Sequence, residues 1–246
     1  MSAAIDISDV SFAYPGYPPV IANLHLTIQQ GERFGLFGPN GAGKTTLMQL
    51  MTGLLAYKKG SIHLLGNKIQ RQNKKANNLF GFVPQDFSFY HELSPKENLS
   101  FFGAWAGLTK PEIQRRSAHL LQVLGLEDVS DKPVQKFSGG MKRRVNLAIG
   151  VIHQPKVLFL DEPTVGVDVQ SRHAIINYLK ELNREGSTLV YTSHQLNEAE
   201  DLCTRIALFD EGRIIAHDTL PNLMAAHQQD GLEGLFLHLT GKTYRD

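Results

Sequence analysis

Apolar and polar residues alternate along the first part of the chain in a pattern typical of half-exposed β-strands. Residues 5–12 have a period of two, and residues 24–28 resume it after a loop rich in Pro and Gly at 14–19. Residues 33–37 are then almost wholly apolar, which predicts a short buried strand. Residues 60–66 predict a further short strand with a tight turn. Antiparallel strands that lead into a buried strand indicate a mixed sheet.

The second half of the chain alternates apolar strands with helices. Three apolar runs each end at a polar residue, and these are predicted strands at 79–85, 156–163 and 187–194. Predicted helices lie at 44–52, 142–153 and 170–184. Two more strands, 205–210 and 213–217, flank a turn and precede a helical region at 219–240. Alternating strands and helices indicate an α/β fold, in which ligands bind where the strands end.

A helical insertion interrupts this alternation between residues 86 and 136. The segments 94–97 and 109–112 each carry Ser or Thr at an N-cap position and Glu three residues later, which is a capping box. Two amphipathic helices are expected to follow, at about 95–107 and 110–124. The insertion is rich in aromatic residues. Most of them are expected to form its core, while Phe87 and Phe89 are candidates for a groove that receives a partner.

One domain of 246 residues is therefore expected, made of three parts. Residues 1–85 and 137–220 form the α/β core with its antiparallel part, 86–136 the helical subdomain and 221–246 a helical tail. The polar segment 67–78 is expected to be a solvated surface.

Composition narrows the classes of protein to which the chain can belong. The hydrophobic content of 42% and charged content of 20% are those of an ordinary globular protein. A net charge of +1 argues against nucleic acid as the main partner. One cysteine, Cys203, excludes an internal disulfide framework and predicts a small buried apolar residue. No apolar run is long enough to span a bilayer and no signal peptide is recognisable, so we expect a cytoplasmic location.

The strongest chemical signal follows the predicted strand at 33–37. The sequence there fits G-x-x-x-x-G-K-[ST], the phosphate-binding P-loop. Its glycines can turn backbone N–H groups toward an anion, and the following helix presents the positive end of its dipole. Lys44 can reach the β- and γ-phosphates, and the hydroxyl of Thr45 can ligate Mg²⁺. The predicted nucleotide-binding residues of this stretch are Gly38, Pro39, Asn40, Gly41, Ala42, Gly43, Lys44, Thr45 and Thr46.

Other polar residues stand at the ends of predicted strands or helices. Asp161 and Glu162 end a buried strand, where one carboxylate can help to hold Mg²⁺ and the next can act on a water molecule. Gln85 and His194 also end strands. Ser138 is a predicted N-cap and, with Gly139 and Gly140, forms a second anion cradle at a helix N-terminus. Tyr14, in a loop, can stack on a base or can be an ordinary half-buried tyrosine.

These residues, in this order, resemble the nucleotide-binding domain of an ABC (ATP-binding cassette) transporter over residues 5–240. The resemblance implies a P-loop NTPase (RecA-like) core with an antiparallel β subdomain and an inserted helical subdomain. It makes Tyr14 the adenine-stacking residue. The other matched motifs are the Q-loop at Gln85, the signature motif at Ser138, Gly139 and Gly140, the Walker B aspartate Asp161, the catalytic Glu162, the D-loop Asp168 and the switch His194.

The resemblance also implies a mechanism. Two copies, or this chain and a relative, would close head to tail on two ATP molecules and reopen after hydrolysis. Glu162 would be the general base and His194 would orient water and the γ-phosphate. Gln85 would sense that phosphate. Thr45, Gln85 and Asp161 would form the Mg²⁺ site. A separate integral membrane permease would supply the transport pathway and hold the chain at the cytoplasmic face of the bacterial inner membrane.

The sequence departs from the family pattern at two places. Met141 replaces the usual Gln of the signature motif, and residues 164–168 differ from the usual D-loop, so only Asp168 matches there. The stretches 163–168 and 232–241 are similar to the ABC-2 subgroup, whose members mostly export compounds from bacteria. Three alternatives stay open at this point: a soluble ABC ATPase without a transport role, a P-loop small-molecule kinase, and a nucleotide-gated binding module with little turnover.

Overall fold

The computed structural model describes residues 2–70 and 78–241, which form two β-sheets with helices around them. The predicted polar surface at 67–78 and the predicted tail 221–246 lie partly outside these residues, at 71–77 and 242–246. The strands are β1 (Ala3–Ala13), β2 (Pro19–Gln29), β3 (Arg33–Phe37), β4 (Lys59–Leu64), β5 (Asn67–Lys68), β6 (Phe80–Val83), β7 (Val157–Asp161), β8 (Thr188–Ser193), β9 (Arg205–Asp210) and β10 (Arg213–Asp218).

The helices agree in position with those predicted from the sequence, except that the short helix at Asn197–Leu202 was not predicted and the predicted helical region at 219–240 consists of two helices. They are α1 (Lys44–Met51), α2 (Pro95–Trp105), α3 (Lys110–Val123), α4 (Gly139–Val151), α5 (Val169–Arg184), α6 (Asn197–Leu202), α7 (Leu220–His227) and α8 (Leu232–Thr240). Helix α4 begins earlier than predicted because the side chain of Ser138 accepts a hydrogen bond from the backbone N–H of Met141 and so caps the helix there. Among the described residues, no helix is both long and apolar enough to cross a bilayer.

The smaller sheet is antiparallel, with strand order β2-β1-β4-β5. Its inward face is formed by alternate residues of β1, including the buried Ile5 and Ile7. Strands β1 and β2 are longer than their apolar alternation predicted, because irregularities in their register, such as the one between Ile7 and Val10, let pairing continue as far as Ala13 and Pro19. The period-two pattern therefore located these strands but not their full length.

The larger sheet has the order β10-β9-β3-β8-β7-β6. Strands β9, β3, β8, β7 and β6 are parallel, and β10 joins antiparallel to β9. Both faces are covered. In β7, Leu158 and Leu160 belong to one apolar cluster while Val157 and Phe159 belong to the other. This is why β7 appears in the sequence as a continuous apolar run.

Membership of the two apolar clusters shows on which face of the larger sheet each helix packs. Helix α1 lies with the antiparallel sheet, since Leu47 and Leu50 share a cluster with Ile5 and Ile7. The opposite face of the larger sheet forms the second cluster, to which the inserted helices α2 and α3 contribute Leu99 and Leu120, among others. Phe89 is buried in this cluster, with the partly buried Phe87 stacked on it, so Phe89 is a core residue and does not line a partner groove as predicted. The predicted α/β fold, with an antiparallel β part and inserted helices, is confirmed.

This topology gathers the polar strand ends at one edge. Parallel strands β3, β6, β7 and β8 all run in the same direction, so their carboxyl ends meet at the same edge of the sheet. The segments that follow these ends carry the P-loop, Gln85, Glu162 and His194, respectively. The fold therefore brings together four motifs that are far apart in the chain.

Candidate functional site

The loop between β3 and α1 is shaped by glycines, for two different reasons. Gly41 and Gly43 have φ of +81° and +107°, values that a residue with a Cβ rarely adopts. Gly38 does not have a positive φ, so backbone freedom is not its reason, contrary to the sequence-based explanation. A Cβ at Gly38 would instead overlap the backbone carbonyl of Phe209 in β9. Close packing against β9 fixes the start of the loop.

Lys44 is buried inside this loop. Its Nζ donates hydrogen bonds to the carbonyl oxygens of Gly38 at 2.7 Å and Pro39 at 3.1 Å, and lies 3.9 Å from Oε1 of Glu162. Burial lowers the pKa of Lys44, although the negative charges of Glu162 and Asp161 act in the opposite direction. The ammonium is thus held at the centre of the loop by carbonyls and carboxylates, where an anion can replace them as its partner.

The first turn of α1 has free backbone N–H groups that suit an anion. Its N-cap is Gly43, which has no side chain that could satisfy the free N–H groups of that turn. Thr45 is exposed, and its side chain hydrogen-bonds Asp161. Thr46 is a buried residue, and its hydroxyl lies 3.2 Å from the hydroxyl of Tyr14. The ring of Tyr14, which is 37% exposed, packs edge-on against Phe12. Stacking of Tyr14 on a base remains a prediction.

Asp161, at the end of β7, is 1% exposed. Its Oδ1 accepts a hydrogen bond of 2.6 Å from the hydroxyl of Thr192 in β8. Burial raises the pKa of Asp161, and the hydrogen bonds from Thr192 and Thr45 oppose this rise. A buried carboxylate whose charge is this poorly compensated is suited to a cation.

The donors available for a metal ion are oxygen atoms. No cluster of three or more His, Cys, Asp or Glu side chains that could hold a metal occurs within 2–70 and 78–241. The Thr45 hydroxyl, the Gln85 amide and the Asp161 carboxylate offer a small set of oxygen ligands. Such a set fits Mg²⁺, which keeps several waters and binds phosphate oxygens together with one or two protein groups.

Glu162 is the residue that the other side chains of the site surround. It is 6% exposed and has a φ of +49°, an unfavourable conformation for a non-glycine residue. Its N–H donates to the carbonyl and hydroxyl oxygens of Thr192, at 3.2 and 3.1 Å, and these bonds hold it in that conformation. Gln85 Nε2 donates to Oε2 at 3.2 Å, while Nδ1 of His194 lies 3.2 Å from Oε1.

The imidazole of His194 is incompletely satisfied. Although its Nδ1 is close to Glu162, that buried atom has no well-oriented hydrogen-bond partner among the residues that the structure describes. An orphaned polar atom of this kind fits a site in which a ligand or a water molecule completes the hydrogen bonding. The structure thus brings Lys44, Gln85, Glu162 and His194 together, as the strand topology requires.

A second group of predicted residues lies around the N-terminus of α4. A Cβ at Gly140 would come within 2.6 Å of the Ser171 hydroxyl and 3.0 Å of Asp168 Oδ2. Asp168 caps α5, because its Oδ1 accepts from the Ser171 N–H at 2.8 Å. In the described part of the chain, no hydrogen bond or ion pair connects Ser138 or Asp168 to any of the four residues Lys44, Gln85, Glu162 and His194. The predicted residues therefore fall into two groups.

Met141, the departure from the usual signature motif, has a structural role. It packs, partly buried, against the larger apolar cluster. A polar side chain there would lose this packing. The backbone N–H of Met141 also donates a hydrogen bond of 3.3 Å to the hydroxyl of Ser138 in the Ser-Gly-Gly turn.

Sequence reasoning missed three residues that shape the site. Thr192 positions both acids, and Arg143 and Asn146 of α4 contact the segment around Gln85. Thr192 could have been found as a polar residue at the end of an apolar strand. Arg143 lies in a run of basic residues that suggests a solvated surface, so its burial could not be anticipated from the sequence.

Comparison with known proteins agrees with this geometry. The family model described as "ABC transporter" matches residues 21–165, which is more than half of the chain. The chain is 40% identical over 219 residues to "Linearmycin resistance ATP-binding protein LnrL" of Bacillus subtilis (strain 168), covering 89% of this chain and 70% of that protein. It is 39% identical over 224 residues to "Nod factor export ATP-binding protein I" of Paraburkholderia xenovorans (strain LB400), covering 91% and 73%.

Solved structures show the same likeness. A chain described as "Structure of ATP binding subunit of ABC transporter" matches with a TM-score of 0.89 and 27% identity, over 96% of this chain and 99% of that one. Another, described as "Structure of cbiO1 from clostridium perfringens: Part of the ABC transporter complex cbiONQ", matches with a TM-score of 0.82 and 28% identity, over 92% of each.

The fold and the converging acids, amide and lysine define a P-loop ATPase. The chain belongs to the ABC transporter family, as an ATP-binding subunit that couples ATP hydrolysis to transport. The prediction made from motif order is thereby confirmed, and the kinase alternative is set aside.

Proposed function

We propose that this chain is the ATP-hydrolysing subunit of an ABC-2-type exporter and acts through a separate membrane permease. The observation that carries the proposal is the buried carboxylate of Glu162, which accepts a hydrogen bond from Gln85 and lies close to both His194 and Lys44. The name of one relative supports export, since it is a Nod factor export ATP-binding protein.

ATP would bind with its phosphates over residues 38–46. The N–H groups at the start of α1 and the ammonium of Lys44 would contact the phosphate oxygens. Tyr14, next to Thr46, would stack on the adenine. Thr45, Gln85 and Asp161 would hold Mg²⁺. When bound, this ion supplies positive charge that offsets the charge on the phosphates.

Glu162 would act as general base. Its carboxylate would accept a proton from a water molecule whose oxygen attacks the γ-phosphorus, while the bond to the β–γ bridging oxygen breaks and ADP leaves. Gln85 fixes one carboxylate oxygen, and His194 lies beside the other and would orient the water and the γ-phosphate. Because Glu162 and Lys44 are buried, their interactions with the reacting groups are only weakly screened by water.

The second group of residues would serve a second subunit. Ser138, Gly139 and Gly140 lie at a helix N-terminus, which suits an anion, yet Ser138 has no hydrogen bond or ion pair to Lys44 among the described residues. A head-to-tail dimer would bring this turn, and Asp168, to the ATP held by another copy or a close relative. ATP would close the dimer and hydrolysis would reopen it.

The helical insertion would receive the permease. Tyr90, Phe101 and Trp105 are exposed by 47%, 46% and 79%, and Tyr90 packs edge-on against Phe101. An exposed aromatic cluster of this kind suits a cytoplasmic helix of a membrane partner. That contact would place the chain at the cytoplasmic face of the bacterial inner membrane. Nucleic acid is not an expected partner.

Substitution Glu162→Gln tests the proposal. We expect ATP still to bind, dimers to accumulate on ATP, and phosphate release to fall by about 10²-fold or more, because the general base is removed. The matched control is Glu127→Gln, which neutralises an exposed glutamate on the helical insertion and should leave turnover unchanged. Near-normal turnover of Glu162→Gln would remove Glu162 from this role.

A further inference from the structure

Arg143 is a buried cation in helix α4, whose first turn follows Ser138. It is 8% exposed. Its guanidinium donates one hydrogen bond from Nη1 to the backbone carbonyl of Gln85 and another from Nε to the carbonyl of Val165, at 3.4 Å. A buried guanidinium requires such acceptors, because an unpaired buried charge is strongly unfavourable. The two carbonyls therefore depend on Arg143, as it depends on them.

The surroundings of Arg143 fix its position further. The guanidinium lies over the ring of Phe87, with the ring centroid 4.8 Å from Cζ, which is within the range of a cation–π contact. Burial lowers the pKa of Arg143, and the charges of Asp86 and Glu162 oppose that effect. A side chain held by a ring and two carbonyls has little freedom to move independently of them.

Asn146, one turn further along α4, binds the same segment. It is 2% exposed, its Nδ2 donates to the carbonyl of Pro84 at 3.2 Å, and its Oδ1 accepts from the N–H of Ser88 at 3.1 Å. Helix α4 thus attaches residues 84–88 on both sides of Gln85. The backbone of Gln85 cannot shift without breaking contacts to α4.

The two residues bound by Arg143 are also neighbours of Glu162. The side chain of Gln85 donates to the carboxylate of Glu162 at 3.2 Å, and the N–H of Val165 donates to the Glu162 carbonyl at 3.3 Å. Arg143 therefore holds the backbone on both sides of the carboxylate without touching that carboxylate itself.

We propose that Arg143 is a positioning residue for ATP hydrolysis, which holds Gln85 and the turn after Glu162 in the arrangement that turnover requires. The proposal rests on the proposed role of Glu162. It also links the two groups of site residues, because Arg143 belongs to the helix that begins at the Ser-Gly-Gly turn. A displacement of that turn on binding a second subunit would move Gln85 through α4.

The test uses the full chain and measures phosphate release, ATP affinity and thermal unfolding together. For Arg143→Gln we expect kcat to fall by about 10- to 100-fold, because displacement by about 1 Å can cost about 10²-fold. ATP affinity should stay within about twofold of that of the unaltered chain, since Arg143 does not contact the P-loop. Arg143→Lys should recover part of the lost kcat, since a single ammonium can reach one carbonyl at a time.

A double variant separates positioning from general damage. If Arg143 acts through Gln85, the substitution Arg143→Gln should lower kcat less in a chain that already carries Gln85→Ala than in the unaltered chain. The matched control is Arg116→Gln, which removes another partly buried guanidinium, one that donates to the carbonyl of Ile152 beyond the far end of α4. It should lower thermal stability without lowering kcat.

Full activity of a folded Arg143→Gln protein would overturn the inference. The inference would also be overturned if the double variant lost as much kcat as the product of the two single losses. It would be overturned likewise if Arg116→Gln lowered kcat as much as Arg143→Gln does. Either result would indicate a structural role alone. Failure of the proposed function looks different, because there Glu162→Gln itself would turn over ATP at a near-normal rate.

Discussion

The helical insertion and the candidate site differ in how far their charged groups are exposed to solvent. At the start of α2, Glu97 accepts a hydrogen bond of 2.7 Å from the N–H of Ser94, and Lys96 pairs with Asp131 at 2.7 Å. The side chains of that ion pair are 52% and 76% exposed. In the candidate site, by contrast, Lys44 and Asp161 are only 5% and 1% exposed.

The pKa shifts follow this difference. Hydrogen bonds from Ser94 lower the pKa of Glu97, so its charged form is favoured in the folded chain. Burial raises the pKa of Asp161, so its charged form is disfavoured. The charged groups of the helical insertion are therefore stabilised by partners close to them in the structure, while the site contains a buried charge that its own residues compensate poorly. Such a site stabilises the folded chain less but is prepared for a highly charged ligand.

Of the substitutions that compare the two regions, Lys44→Ala should have the largest effect, a loss of ATP binding. It removes the charge that would meet the phosphates, so we expect ATP binding to be lost, as measured by equilibrium binding of a fluorescent ATP analogue. Lys96→Ala, in the helical insertion, is the control and should leave ATP affinity unchanged. Unaltered affinity of Lys44→Ala would contradict the assignment of residues 38–46 as the phosphate cradle.

In contrast to a substitution that removes a satisfied surface charge, Asp161→Asn should stabilise the folded chain at pH 7. Because the folded-state pKa of Asp161 is raised, its contribution to stability is fully present below the unfolded value of 3.8 and is lost as pH rises through the folded value. At pH 7 the ionised group therefore destabilises the chain without ligand, and Asp161→Asn should raise its melting temperature. That gain should shrink as the pH is lowered.

The same substitution should lower Mg²⁺-dependent phosphate release by at least about 10²-fold, because a metal ion contributes several kcal/mol to such reactions. Asp131→Asn serves as the control. Hydrogen bonding to Lys96 lowers the pKa of Asp131, so neutralising this exposed carboxylate should not stabilise the chain. A lower melting temperature for Asp161→Asn would show that burial is not the dominant influence on that carboxylate.

The smallest effect is expected at the cap of α2. Ser94→Ala removes the hydroxyl that accepts the N–H of Glu97, and the loss of an N-cap typically costs about 1 kcal/mol. Chemical denaturation should show this loss of stability, while kcat and ATP affinity stay unchanged. If kcat fell instead, the helical insertion would be coupled to hydrolysis more tightly than its local hydrogen bonding indicates.

The candidate site was predictable to the extent that it follows from strand ends. Each of Gln85, Glu162 and His194 follows an apolar run that could be recognised as a strand, and parallel strands bring their carboxyl ends to one edge. The P-loop was predictable because glycine spacing carries a local conformation. The requirement for Gly38 was misjudged, since it comes from β9, which is distant in sequence.

Other features depend on contacts between distant segments. The sequence shows Arg143 beside Lys142 and Arg144, three similar cations in a row, and nothing local distinguishes the buried one. The packing of α4 against residues 84–88 makes that distinction. Likewise, Thr192 reaches Asp161 and Glu162 only because β8 lies next to β7 in the sheet.

By itself, the sequence determined most of the elements, their order and the chemistry of the strand ends, because periodicity, capping and glycine spacing act over a few residues. The tertiary structure alone decided which charges are buried, which side chains hold Glu162 and how the predicted residues divide into two groups. The reason is physical: burial and hydrogen-bond partners are set by which segments pack together, and packing joins residues that the chain order separates.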